Sequence, residues 1–144
     1  MRTQAGRDRR ERGATLVEFA FVAPFLLFLI LGTVELGWAL GLNNDVRHGA
    51  REAARIAAVS APNLQNNVCN SMDLASGQTV TYQIVSGSGD TGSTGAVTVS
   101  APAGSLSGVP LISWVIPANL SSTVEFRLEQ AASGWGGGTN FTCP

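Results

Sequence analysis

The chain of 144 residues contains no lysine, one histidine and two cysteines, and only 13% of its residues are charged. Each shortage removes a class of function. With no lysine and a net charge of −1, no basic surface is available to track a nucleic acid backbone, so that partner class is set aside. His48 has no cysteine near it in sequence, and it reads as a helix-surface residue rather than as part of a zinc site or a Cys–His pair. Cys69 and Cys143 lack the CxxC spacing of a metal pair. Serines and acids are plentiful, but no constellation singles out a nucleophile. The expectation is a protein that is not an enzyme, with no catalytic residue, metal, cofactor or small-molecule substrate.

The low net charge conceals an uneven distribution. Arg2, Arg7, Arg9, Arg10 and Arg12 face only Asp8 and Glu11 within residues 1–13. An apolar run follows, FAFVAPFLLFLILGTVELGW from Phe19 to Trp38, whose single charge is Glu35. As a helix these residues rise about 30 Å, the thickness of a hydrocarbon core. Trp38 sits where an indole settles among headgroups, and Pro24 is tolerated near the start of such a span. Beyond it, Arg47, Arg51 and Arg55 are set against Asp45 and Glu52. The larger number of arginines lies before the span, which predicts a cytoplasmic N-terminus and an extracytoplasmic C-terminal domain. A conventional signal peptide fits poorly, because the nearest Ala-x-Ala-like stretch, AAVSA at 57–61, lies about twenty residues too far along.

Two residues at the start of the run stand out. Gly13 has no side chain to keep a peptidase from the backbone. If the chain is cut after it, Ala14 carries a new positive amine, and Glu18 lies one helical turn away from it or faces the amine of a neighbouring helix. The plainer reading has Glu18 reaching back to Arg10 or Arg12. With the C-terminal part exported, the thiols of Cys69 and Cys143 lie on the oxidising side and are expected to pair.

The rest of the sequence supplies texture. NNDVRHGAREAARIAAV (43–59) places Arg47, Arg51 and Arg55 on one helical stripe, reads as a solvated face, and offers His48 and Glu52 as an i,i+4 pair. Val46, Ala50, Ala53, Ala54 and Ala57 form a small-residue face suited to close packing, and Pro62 is expected to end the helix. TVTYQIV (79–85), AVTVS (96–100) and TVEFRLE (123–129) alternate as strands, whereas the tail SGWGGGTNFTCP reads as irregular. Gly87-Ser-Gly89-Asp-Thr-Gly92 matches GxGxxG, but a strand rather than a helix follows, so it reads as a loop. The expected fold class is α+β. A basic leader (1–13) precedes a long helix (14–60, spanning at about 19–38), and a small exported β-rich domain (61–144) carries about three antiparallel strands.

RRERGATLVEFAFVAPFLLFLILGTVELGWAL, followed by NNDVRHGAREAARIAA, resembles the TadE-like family of tight-adherence (Tad/Flp) pilus assembly proteins over residues 9 to about 58. The resemblance implies a bacterial pseudopilin of the inner membrane, cut by a dedicated aspartyl prepilin peptidase at Gly13–Ala14. Glu18 then becomes the fifth mature residue, for recognition and register, and Phe19 the sixth, where related major pilins often carry tyrosine. Its implied partners are the peptidase, the membrane through a single span, and other pilin or pseudopilin subunits. The residues leave a second reading open, an uncleaved single-pass anchor displaying a small cell-envelope domain.

Overall fold

A computed structural model describes residues 4–61, 63–73, 77–104, 117–132 and 138–144, with side chains described from Gly13 onward. One helix, α1 (Gln4–Ala58), runs for 55 residues and passes through Pro24 without a break. It begins inside the expected leader, so leader and span share one helix. Beyond Glu18 the helix is apolar and open up to Leu31: Phe19, Phe21, Phe25, Leu27 and Ile30 are all exposed. From Glu35 onward the pattern becomes one-sided. Glu35, Leu42, Val46, Gly49, Ala50, Ala53 and Ala57 are buried along a single seam at three- and four-residue spacing, as the small-residue pattern predicts.

The end of α1 is capped by its own backbone. Ser60 takes φ +48°, its N–H donates to Ala57 O at 3.1 Å, and Ala61 N–H donates to Ile56 O at 3.2 Å. These two bonds satisfy carbonyls the last turn leaves unpaired, the geometry in which glycine is usual. Here serine holds the left-handed position, and its hydroxyl donates to Ala131 O at 2.8 Å, linking the cap to the sheet domain. Pro62, expected to stop the helix, lies outside the described residues. A short helix the sequence pattern did not announce, α2 (Leu64–Cys69), leads the chain back along α1. There Met72 fills the space opposite Gly49, where an added Cβ meets the Met72 sulfur and Cγ. Gly49→Leu is therefore expected to overpack this contact and cost about 1–3 kcal/mol. Thermal unfolding of the detergent-solubilised chain measures the loss, and pairing the change with Met72→Ala should recover part of it.

The sheet has four strands, one more than the alternation predicted. They are β1 (Thr79–Ser86), β2 (Thr94–Pro102), β3 (Asn119–Arg127) and β4 (Gly138–Thr142), all antiparallel in the order β3-β2-β1-β4. The tail read as irregular supplies β4, which pairs with β1 from Thr79↔Thr142 to Gln83↔Gly138. The Gly87–Gly92 segment is the β1–β2 hairpin loop, with Gly87, Gly89 and Gly92 at φ values of 97°, 89° and 92°. Those positive values require glycine, and β2 follows as expected.

One sheet face closes on α1, most extensively through β3 and then β2. Val80 and Tyr82 of β1 and Val97, Val99 and Ala101 of β2 are buried there, with Val124 and Phe126 of β3 half-buried beside them. The opposite face is a hydroxyl grid in which Thr81 pairs with Thr98 and Thr98 with Thr123, the latter two hydroxyls 2.8 Å apart. Burial pushes the Tyr82 hydroxyl well above its ordinary pKa, and its ring lies 6.1 Å from that of Phe141 in β4. Cys69 and Cys143 are joined in a disulfide with their Cα atoms 5.5 Å apart, tying α2 to the residue after β4.

Candidate functional site

The residues singled out for processing all lie on the open half of α1. Gly13, Ala14, Glu18 and Phe19 are exposed, and a Cβ built on Gly13 meets nothing within 4 Å. The Gly13–Ala14 bond thus stands clear of the folded domain. From Ala14 to Glu18 the helix rises about 6 Å, one turn, so an amine at Ala14 and the Glu18 carboxylate share a face. Arg10 and Arg12, the alternative partners for Glu18, have side chains outside those described. Among the described residues Glu18 makes no ion pair; its neighbours on the helix surface are Ala14, Thr15, Phe21 and Val22.

The apolar segment that follows has the length and composition of a membrane span. Within Gly13–Ala58, an 18-residue window has a mean hydropathy of 2.4 and none of it is buried. That exposure separates it from the core helix of a soluble domain, which spends its apolar surface on its own sheet. Within it, Thr33 returns its hydroxyl to Leu29 O at 2.8 Å, a bond that keeps a polar atom satisfied without water. Glu35, read from the sequence as the lone charge of the span, behaves otherwise. It is 3% exposed while Val34 and Leu36 on either side are half exposed, so it belongs to the seam that faces the domain. No sequence signal distinguishes it, because an acid flanked by apolar residues looks the same whether lipid or protein surrounds it.

The arginine stripe is solvated, as its spacing predicts. Arg47 and Arg51 are exposed. Arg55 makes a bidentate pair with Glu52, 2.6 Å at Nη2 and 3.0 Å at Nε. Glu52 therefore turns to Arg55 rather than to the predicted partner His48. The hydrogen bond from Arg55 holds the Glu52 carboxyl below the usual carboxylate range, with a lesser Coulombic contribution from His48. Such a pair on an open helix face adds little to stability. Among the described residues no group of three or more His, Cys, Asp or Glu is placed to hold a metal ion.

These features define a class: among the described residues, one membrane-type helix whose distal half serves as the spine of a small α+β domain. Within that class, residues 13–55 match the family model described as TadE-like protein. The match starts at Gly13, takes in Glu18 and the apolar segment, and ends at the last arginine of the stripe, short of the sheet. No curated protein matches the chain, and no solved structure does.

Proposed function

We propose that this protein is a minor pseudopilin of a bacterial tight-adherence pilus system, held in the inner membrane by α1 with its sheet domain outside and acting in pilus biogenesis or adhesion. The observation that carries this reading is the TadE-like match over 13–55, which begins at the very glycine that stands open ahead of the apolar helix. In this role the chain performs no chemistry of its own and is instead a substrate. A prepilin peptidase cuts Gly13–Ala14, the arginine-rich leader keeps the cut on the cytoplasmic side, and the amine of Ala14 pairs with Glu18 of its own or an adjacent helix. Other pilin or pseudopilin subunits then pack against the open apolar surface of α1. The reading makes a direct demand: N-terminal sequencing of the membrane-extracted protein, from cells with an active peptidase, should begin at Ala14. Met1 or Arg2 as the sole N-terminus would leave an uncleaved anchor displaying a small envelope domain.

A further inference from the structure

We propose that the folded domain is seated in the headgroup layer of the bilayer rather than held above it, so that α1 meets protein on one face and lipid on the other between Leu36 and Leu40. The inference rests on the membrane-spanning part of the reading above and adds where the span ends.

The two faces of α1 end their apolar character at different heights. On the domain side, a carboxylate is already buried at Glu35. A charge-bearing group is costly in hydrocarbon, so on that side lipid gives way to protein by Glu35. On the opposite side, Leu36 and Leu40 are 48% and 56% exposed, and the polar surface starts only at Asn44, followed by Arg47 and Arg51. The overlap from Leu36 to Leu40 rises about 6–8 Å. The interfacial zone of one leaflet is about 5–8 Å deep. Lipid contact through this zone covers both leucines, whereas a domain lifted clear of the bilayer leaves them in water.

Charge on the domain is distributed to match. The amides of Glu129 and Gln130 donate to Ala58 O at 2.8 and 3.4 Å, which fixes the C-terminal end of β3 at the far end of α1. The Asn119 end of β3 and its partner Pro102 therefore point back toward the membrane. Around that end the described residues, 102–104 and 117–119, carry no charge. Glu125, Arg127 and Glu129 lie toward the other end, with Asp90 in the hairpin loop beside them. Along α1 itself, the first charge beyond Glu35 is Asp45, about 15 Å further up the axis. A sheet end without charged side chains is what a domain resting in headgroups requires, and the first carboxylates beyond Glu35, Asp45 and Asp73, meet above it, where the Asp73 amide donates to Asp45 Oδ1 at 3.2 Å.

The test uses the full chain in phosphatidylcholine vesicles containing anionic lipid. The native cysteines are joined, so Ile30→Cys, Leu36→Cys, Leu40→Cys and Arg47→Cys each introduce one reactive thiol at an exposed position. A nitroxide on each thiol reports collisions with oxygen, enriched in lipid, and with a nickel chelate, confined to water. Labels at 36 and 40 are expected to resemble the label at 30, with nickel accessibility several-fold below that at 47 and oxygen accessibility high. Nickel accessibility at 36 and 40 equal to that at 47 overturns the proposal and places the domain on an exposed stalk. Shielding at both positions from oxygen and nickel alike also overturns it, because a protein surface such as a second copy then covers the leucines. A water-exposed label at position 30 would instead refute the membrane span itself.

Discussion

In cells with an active prepilin peptidase, a Gly13→Ile protein is expected to be recovered with its leader attached, while the unaltered chain is recovered beginning at Ala14. A branched side chain at Gly13 stands between the enzyme's reacting groups and the bond, in the place where the native residue offers bare backbone. The substitution does no harm within the chain, because a Cβ at this position meets nothing within 4 Å. Loss of processing therefore reports recognition and not misfolding. Normal cleavage of Gly13→Ile would remove Gly13 from any role in processing. Glu18→Gln separates the next step. It preserves shape and removes the charge, so membrane insertion is unharmed or slightly easier. The processed protein should accumulate in the membrane yet fail to assemble, since the amine of Ala14 has lost its counter-ion in a low-dielectric setting. Full assembly of the Glu18→Gln protein, measured by shearing and quantifying surface pili, would show that the register is set elsewhere.

Conversion of Cys69 and Cys143 together to alanine is expected to lower the stability of the domain by about 4–5 kcal/mol. The bridge closes a loop with a sequence separation of 74, and chain-entropy bookkeeping assigns roughly that much to such a loop. A loss on this scale rivals the lower end of the 5–15 kcal/mol by which domains of this kind are held folded. The interior cannot offset it. Its helix side is largely alanine, at positions 50, 53, 54 and 57, and its sheet side is dominated by valine at 80, 97 and 99, so each residue removes little apolar area from water. The double variant should unfold at a markedly lower urea midpoint and be degraded in cells. An unchanged midpoint would mean that helix packing alone carries the fold.

The parts of this structure legible in the sequence are those fixed by local periodicity. Val46, Ala50, Ala53, Ala54 and Ala57 repeat at helical spacing, and all five are buried in the seam. TVTYQIV and AVTVS alternate, and β1 and β2 form there with a glycine-rich loop between them. What escaped depends on distant partners. β4 comes from a glycine-rich tail, and Phe141 is the one large apolar residue of the strand itself; it forms because the free edge of β1 accepts it and Cys143 ties its end down. The six residues of α2 are too few for a helical repeat to show. Glu52 has possible partners at both 48 and 55, and only side-chain geometry selects Arg55. For the candidate site the position is reversed. Gly13 and Glu18 stand out in the sequence because they interrupt expected chemistry, whereas the place of Glu35 depends on which side of α1 turns to the sheet domain.

Because α1 is one unbroken helix shared by the apolar segment and the domain, the domain has no joint of its own at the membrane surface. From Glu35 to Ala58 the helix forms a lever about 35 Å long. Membrane helices tilt by about 20° on average to fit the bilayer thickness, and such a tilt carries the far end of this lever about 12 Å sideways. Thickness and composition of the bilayer are thereby converted into the angle at which the hairpin loop and the outer end of the sheet are presented. Pro24, low in the helix, lacks the N–H that would bond the preceding turn, so a bend there would loosen how closely the domain follows the lipid.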